Sequence, residues 1–243
     1  MRIRIHLKTK EIPIHYRMMV LSLIKEAIRT SDEKLYQRLY LDNASKPKTY
    51  SFAVYLSNLN KKENVFEVDG ASVTISSSNP EIAVSLINGF QQMKKYSYQK
   101  WTLQILKVEL LKEKTINSSV VKFVTNSPLL LEDKDNKPLL ITSKNFEEEA
   151  NIVSNKQFLS LYGRTLKRPI KIKDFNMKKQ VIQESNSHAN GQTLFYTCQK
   201  GFITLEGDIE DLKLIYQDGY LLRKSQGMGQ LEVVKSYGSN CSE

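Results

Sequence analysis

The segment GYLLRKSQGMG, residues 219–229, places two cations among glycines shortly before an apolar run near the C-terminus. Glycine has no Cβ and tolerates positive φ, so a glycine-rich loop can bring backbone N–H groups against a phosphate, and neighbouring cations can hold a polyanion there. The same composition is also typical of a tight turn into a final strand. The candidate phosphate ligands of this loop are Arg223, Lys224, Ser225, Gln226, Gly227 and Gly229.

The charge of the chain is unevenly distributed. The 243 residues carry a net charge of +10. Residues 1–125 hold 20 Lys and Arg against 11 Asp and Glu, whereas residues 126–243 hold 16 against 15. A surplus of this size favours a polyanion partner such as nucleic acid, through electrostatic steering and counterion release. A basic surface that is merely solvated is the alternative.

The cysteines and the hydropathy pattern exclude several classes of protein. Cys198 and Cys241 form no CxxC pair and have no histidine pair nearby, so the sequence indicates neither a zinc site nor a disulfide framework. No stretch approaches the ~20 apolar residues that span a bilayer, and the N-terminus alternates like a strand. We therefore expect a soluble cytoplasmic protein with no membrane partner.

The first half of the chain has the pattern of one small α+β unit. Residues 2–8 alternate between apolar and basic side chains, and Arg4 on the basic face is a candidate RNA contact. A helix is predicted to open at Pro13, two strands follow from Thr49 and around Gly70, and a second helix has Pro80 at its first position. Residues 102–111 form the last strand. This order, βαββαβ, is that of a ferredoxin-like or RRM-like domain with an antiparallel sheet.

The second half repeats this pattern without repeating its residues. A strand is predicted from Val120, a helix over 147–162, extended segments over 169–175 and 178–183, and a hairpin in which two strands meet at Lys200 and Gly201. A short helix and a final strand follow. The polar segment 114–119 predicts a boundary between two tandem ferredoxin-like domains, 1–116 and 117–243. Lys178 and Lys179 extend the basic surface, or form a solvated strand end.

Three segments in the same order resemble motifs of the RAMP superfamily of CRISPR-associated proteins, specifically the endoribonucleases that cut CRISPR precursor RNA within each repeat. The glycine-rich loop matches their signature of two Gly-hydrophobic-Gly triplets separated by five residues, except that Leu221 replaces one glycine. Residues 127–142 are similar to the opening of their C-terminal half. Residues 39–52 resemble the segment that usually carries the general-base histidine.

The resemblance implies a reaction without a metal ion or other cofactor. The ribose 2′-hydroxyl attacks the neighbouring phosphate and leaves a cyclic phosphate and a 5′-hydroxyl, which requires a base, an acid and a cation near the phosphate. Tyr40 stands where the family usually has its histidine, and Lys46 follows at the family's lysine spacing. Lys48 replaces Lys46 if the alignment shifts.

His15 completes the predicted catalytic set. It lies at the start of the first helix, close to where family members place an active-site tyrosine or histidine, and imidazole titrates near neutrality. A solvated helix-start residue is the alternative for His15. Tyr40 has an ordinary pKa of about 10 and suits a hydrogen-bond donor, or packs beside Tyr36.

Three functions follow from these residues. The first is the endoribonuclease, with CRISPR repeat RNA as its substrate. Absence of the usual histidine favours a second, a non-catalytic RNA-binding subunit of an interference complex, which would have other CRISPR-associated proteins as partners. The third is a duplicated ferredoxin-like protein that binds a small ligand or another protein. A homodimer is compatible with all three. Neither half has the aromatic motifs that stack bases on a sheet, so we expect recognition through the glycine-rich loop, the cleft between the halves and the basic faces.

Overall fold

The computed structural model describes residues 1–186 and 192–237. Its first half contains three α-helices, α1 (Tyr16–Ser31), α2 (Glu33–Gln37) and α3 (Pro80–Gln92), and a π-helix at Arg38–Asp42. Its strands are β1 (Arg2–Lys8), β2 (Glu11–Pro13), β3 (Tyr50–Ser57), β4 (Asn60–Lys61), β5 (Val65–Glu67), β6 (Gly70–Ser77), β7 (Lys95–Tyr98) and β8 (Trp101–Leu111).

Five of these strands form one antiparallel sheet in the order β3-β6-β1-β8-β7, and β2, β5 and β4 form a small second sheet. The apolar face of β1, with Ile3, Ile5 and Leu7, packs against α1 and α3 in a single core. The opposite face of the same sheet carries the alternating basic residues of β1, because successive side chains of a strand point to opposite faces. The sheet thus turns a basic surface toward the second half of the chain.

The second half repeats the arrangement. It contains β9 (Val120–Thr125), α4 (Phe146–Tyr162), β10 (Lys171–Asn186), β11 (Gln192–Glu206), α5 (Ile209–Asp218), a 3₁₀ turn (Lys224–Gln226) and β12 (Leu231–Tyr237). Its sheet has the order β10-β11-β9-β12. In both sheets the first and third strands of the βαββαβ unit are central, so the prediction of tandem ferredoxin-like domains in an α+β fold is confirmed. The predicted boundary after residue 116 lies between β8 and β9 and stays a prediction; Ile116 itself packs in the second core.

Local sequence signals define the helix ends. Asn79 caps α3 by accepting a hydrogen bond from the Glu81 N–H at 2.9 Å, and Asp208 does the same for Glu210 at the start of α5. Gly163 ends α4 in the left-handed conformation, with φ of 69°. No helix in the described parts of the chain is long and apolar enough to cross a membrane.

Two local predictions were wrong. The first helix begins at Tyr16 rather than at Pro13, because residues 11–13 pair with β5. Residues 194–207 do not form a hairpin at Lys200 and Gly201, since both lie inside the continuous strand β11. Gly201 is needed there for close approach: a Cβ would lie 2.1 Å from the carbonyl oxygen of Asn176 on β10. The hairpin is formed instead by β10 and β11.

The two halves are joined by buried polar contacts. Arg2 is 1% exposed, lies 4.3 Å from the ring centre of Tyr216, forms an ion pair with Glu232 and donates to the Leu231 carbonyl oxygen at 2.6 Å. At a second point, Asp218 accepts hydrogen bonds from the N–H and hydroxyl of Ser78, at 2.6 and 2.7 Å. Contacts of this kind leave few alternative orientations, because separating the halves would expose or unpair buried charges. The cleft between the halves is therefore held in a defined shape.

Candidate functional site

A cavity of about 360 Å³ lies where the segment after the π-helix faces the glycine-rich loop. Five cationic side chains line it, and no Asp or Glu does so in the described chain: the cations are Lys25, Lys46, Lys48, Arg223 and Lys224. Like charges brought together in a concave site focus a positive potential and attract an anion such as phosphate. We call this the cationic cavity.

Lys25 reaches the cationic cavity from α1. It lies one helical turn after Leu21, which also lines the cavity, at the edge of the apolar face that packs on the sheet. Its ammonium is 4.9 Å from the ring centre of Tyr40. Partial burial lowers the pKa of Lys25. Lys25 can therefore lose its proton more readily than an ordinary surface lysine.

Tyr40 connects the π-helix with the glycine-rich loop. Its hydroxyl is 2.8 Å from the hydroxyl of Tyr50, and the Tyr50 hydroxyl donates to the Ser225 carbonyl oxygen at 3.5 Å. Burial, and then the neighbouring Tyr50, raises the pKa of Tyr40 well above its usual value. Tyr40 keeps its proton at neutral pH and is suited to donating a hydrogen bond, not to acting as a base. It also packs beside Tyr36, with 5.4 Å between ring centres.

Lys46 and Lys48 have different positions in the loop that they share. The Lys46 side chain is exposed and lines the cavity. Lys48 is 6% exposed, and its ammonium donates to the carbonyl oxygens of Asn43, at 2.7 Å, Ala44 and Lys46. Burial, and then the charge of Lys25, lowers the pKa of Lys48. Lys48 thus holds the loop that presents Lys46, with its donors directed to backbone oxygens.

The glycine-rich loop keeps an unusual backbone even where a glycine is missing. Leu221, which stands in place of a signature glycine, has φ of 68°, and Arg223 has φ of 55°. Both values lie in the left-handed region, where a side chain costs about 1–2 kcal/mol. Lys224 is buried next to them, and burial lowers its pKa while Asp218 opposes this effect. The left-handed backbone at Leu221 and Arg223 thus places Arg223 and Lys224 beside the cavity, at a cost in conformational free energy.

The glycines of this loop serve packing, Gly229 within the second half and Gly227 against the first half. The Gly229 N–H donates to the Pro128 carbonyl oxygen at 2.8 Å, and a Cβ there would lie 2.2 Å from the Tyr220 oxygen. A Cβ on Gly227 would lie 2.8 Å from the ring of Phe52 on β3. The Gly227 N–H donates to Lys224. These two amides are thus occupied within the protein, a feature that the sequence did not indicate.

His15 does not lie in the cationic cavity. It is the N-cap residue of α1, and its Nδ1 is 3.2 Å from the carbonyl oxygen of Gln183 on β10. Ten residues separate it from Lys25, which corresponds to about 15 Å along a helix. Next to it, Arg17 forms a buried ion pair with Glu184 at 3.2 Å. The start of α1 is thus attached to the β10–β11 hairpin.

The remaining predicted RNA contacts lie outside the cationic cavity. Arg4 lines a cavity of about 500 Å³ in the cleft between the two sheets, together with Tyr55 and Lys200. Lys178 and Lys179 are exposed on β10, and Lys178 pairs across the strands with Lys200. A line of cations therefore runs from the cleft onto β10.

The described residues contain one buried cysteine and no cluster of metal ligands. Cys198 is buried, and burial raises the pKa of its thiol to about 12. Cys241 lies outside the described residues. No group of three or more His, Cys, Asp or Glu side chains within residues 1–186 and 192–237 is placed to hold a metal ion.

Lys25 is the site residue that sequence reasoning missed. A weak signal was present, since Lys25 follows Leu21 by four residues and directly follows the buried Ile24 in a mostly apolar helix. Many helices carry a lysine at such a boundary, and its long stem often covers apolar surface. Only the fold places it against Tyr40.

The sequence that contains the glycine-rich loop matches the model of a known protein family. The family model described as CRISPR associated protein Cas6, C-terminal, matches residues 111–233, slightly more than half of the chain, including the whole glycine-rich loop. The chain belongs to the Cas6 family. Cas6-type proteins process or bind CRISPR repeat RNA, and we assign this chain to that class.

Solved structures give the same result for the fold. A structure described as CRISPR associated protein Cas6 has 22% identity and a TM-score of 0.72, covering 97% of this chain and 99% of its own. A Cas6-related protein from Pyrococcus furiosus has 19% identity and a TM-score of 0.78, covering 98% and 99%. A RAMP protein described as binding different RNA substrates has 17% identity and a TM-score of 0.76, covering 97% and 100%. No curated protein sequence matches this Cas6-family chain.

Proposed function

We propose that this chain is a metal-independent endoribonuclease that cuts CRISPR precursor RNA within each repeat. The observation that carries the proposal is the cationic cavity, where five cationic side chains and Tyr40 meet beside the family's glycine-rich loop. A scissile phosphate bound there would have its charge offset on several sides. The solved structure described as a RAMP protein binding different RNA substrates supports RNA as the ligand.

The residues of the cavity can supply each step of the transfer. We assign Lys25 as the base, because its lowered pKa increases the fraction of neutral amine that can accept the 2′-hydroxyl proton. The new bond joins the 2′-oxygen to phosphorus, the bond from phosphorus to the 5′-oxygen breaks, and the Lys46 ammonium protonates the departing oxygen. The products are a 2′,3′-cyclic phosphate and a 5′-hydroxyl.

Electrostatic stabilisation falls to the other cavity residues. Arg223 and Lys224 offset the extra negative charge of the phosphorane, and Tyr40 keeps the π-helix in register with the glycine-rich loop through its hydrogen bond to Tyr50. Of the residues predicted as catalytic, the proposal thus retains Tyr40 and Lys46. It gives His15 a positioning role near the C-terminal end of β10, through Gln183.

RNA beyond the cut site would follow the cations outside the cavity. We propose that Arg4, Lys178 and Lys179 contact the phosphate backbone along the cleft and β10. A protein with this substrate is expected in the cytoplasm. Other CRISPR-associated proteins and a second copy of the chain are proposed as further partners, and 1–116 and 117–243 as its two domains.

One observation favours a second function, a non-catalytic repeat-RNA-binding subunit. Tyr40 stands where the family usually has a histidine, and its raised pKa prevents it from serving as a base near neutrality. Replacing Tyr40 with His separates the two functions. If Tyr40→His cuts repeat RNA and the natural chain does not, the non-catalytic function is correct.

The direct test is cleavage of an RNA that carries the repeat of the chain's own genome, in EDTA. We expect one cut per repeat, a cyclic phosphate end, and no cut when the attacking 2′-hydroxyl is replaced by hydrogen. Lys46→Ala should slow cleavage by about 10²-fold or more, since one electrostatic contact to the transition state has this size. Lys213→Ala, which changes an exposed lysine of α5, should cut normally. Tight binding without any cut would leave only the RNA-binding function.

A further inference from the structure

A second cavity, of about 430 Å³, lies directly beside the cationic cavity. It is formed by α4 and the turn at residues 132–136, and Ile152, Val153 and Leu222 supply apolar wall. Gln157, Leu222 and Arg223 line both cavities, so the two are adjacent. We call it the α4 cavity.

The chemistry of the α4 cavity differs from that of its neighbour. Three carboxylates line it, from Glu132, Asp133 and Glu149, together with the ammonium groups of Lys134 and Lys156. None of the three carboxylates forms an ion pair within the described residues, but Asp133 Oδ1 accepts from the Asp135 and Lys137 N–H groups at 2.9 Å, so Glu132 and Glu149 are the main acceptors toward a ligand. Carboxylates repel a phosphate but accept hydrogen bonds from amino and imino groups. An apolar wall with separate acceptors and donors at its rim is suited to a planar heterocycle.

Arg223 lies at the boundary between the two cavities. Its guanidinium donates to the Gln226 side-chain oxygen at 3.0 Å and lies 4.5 Å from the ring centre of Tyr196. A guanidinium held in this way can contact a phosphate on one side and the edge of a base on the other. The arrangement therefore suits one nucleotide, with its phosphate in the cationic cavity and its base in the α4 cavity.

We propose that the α4 cavity binds the base of a nucleotide next to the scissile phosphate and prefers guanine. The N1–H and 2-amino groups of guanine would donate to the carboxylates, while its O6 accepts from Lys156. Uracil presents two carbonyl oxygens and a single N–H on the same edge, so the carboxylates oppose it. The proposal rests on RNA as the ligand of this Cas6-family chain and adds a determinant of the cut position.

Mononucleotides test the cavity without any requirement for cleavage. Calorimetric titration with guanosine 3′-monophosphate and uridine 3′-monophosphate should show tighter binding of the guanosine compound, by about tenfold, the size of one good bidentate contact. Ile152→Trp fills the cavity and should reduce the preference to less than about twofold. Leu159→Trp adds the same bulk on an exposed part of α4 that does not line the cavity, and should keep the preference. Equal binding of the two nucleotides by the natural chain overturns the proposal, as does an unchanged preference in Ile152→Trp.

Repeat RNA separates this inference from the proposed function. A repeat with a 2′-deoxy block at the cut, and with each base in turn beside it, is titrated by fluorescence anisotropy. Glu149→Gln should weaken the guanine preference, and Glu148→Gln, one residue earlier on the exposed side of α4, should not. If the repeat is bound but all four bases bind equally, the base pocket is wrong and the proposed function stands. If the chain binds no repeat RNA while guanosine 3′-monophosphate still binds preferentially, the proposed function is wrong and the base pocket stands.

Discussion

Replacement of Gly229 by alanine should destabilise the folded protein in the absence of RNA. Gly229 has φ of 70°, which costs an alanine about 1–2 kcal/mol. A Cβ would also lie 2.2 Å from the Tyr220 carbonyl oxygen, and this group is fixed because Tyr220 donates its own N–H to the Gly229 oxygen at 2.8 Å. Relief of such an overlap moves the backbone, at about 1–3 kcal/mol. The total loss is about 2–5 kcal/mol.

Gly163 offers a matched control for this substitution. Its φ is 69°, and a Cβ there would meet no atom within 4 Å. Gly163→Ala should therefore lose only the conformational part, about 1–2 kcal/mol. Since about 1 kcal/mol moves Tm by roughly 2–4 °C in a chain of this size, Gly229→Ala should lower Tm by roughly 10 °C and Gly163→Ala by roughly 4 °C. Urea unfolding followed by circular dichroism gives the free energies of unfolding independently.

The stabilities of Gly229→Ala and Gly163→Ala together show why glycine is required at position 229. If the two variants lose the same stability and only Gly229→Ala loses affinity for repeat RNA, Gly229 serves approach of RNA to the backbone, and the packing argument is refuted. A loss of stability larger than that of Gly163→Ala, measured without RNA, means that Gly229 is required for the contact of the loop with Tyr220.

Three further predictions concern the cavity and the contacts between the halves. Lys25→Arg keeps the charge but removes a base, so single-turnover cleavage should fall and lose its rise with pH; in the natural chain the rate should rise until pH exceeds the lowered pKa of Lys25. An unchanged pH profile would exclude Lys25 as the base. Asp218→Ala leaves two half-buried Ser78 donors without their acceptor and should cost about 2–4 kcal/mol in urea unfolding, whereas Asp174→Ala, at an exposed position, should change the free energy of unfolding little. Arg2→Met should lower the free energy of unfolding by about 3 kcal/mol, because it removes the ion pair with the half-buried Glu232 and leaves two buried carbonyl oxygens without their donor; a loss below 1 kcal/mol on the same scale would contradict the role of Arg2 in joining the halves.

The fold was largely predictable because its signals are local. Alternation of apolar and polar residues predicts β1, and Asn79 followed by Pro80 predicts the start of α3. These signals repeat in the same order in both halves, which is sufficient for the ferredoxin-like order. The continuity of β11 was not predictable, because Gly201 and the neighbouring Lys200 read as a turn until Asn176 is known to lie beside them.

The candidate site was predictable in part. Family spacing brought Tyr40 and Lys46 together with the loop cations, and the structure places them around one cavity. His15 lies far from that cavity because α1 runs from His15 toward it. Lys25 lines the cavity because α1 is rotated so that this residue faces the π-helix. Both depend on tertiary packing, which no local pattern encodes.

The ion pairs between residues far apart in the sequence affect the order in which contacts form during translation. Arg2 and Arg17 meet their acidic partners 230 and 167 residues further along the chain. Translation therefore releases a first half whose sheet face and helix start carry unpaired cations, and Arg223 and Lys224 follow much later. A nascent chain has no assembled cationic cavity until residues 219–229 have been synthesised, so the cavity is a property of the folded chain.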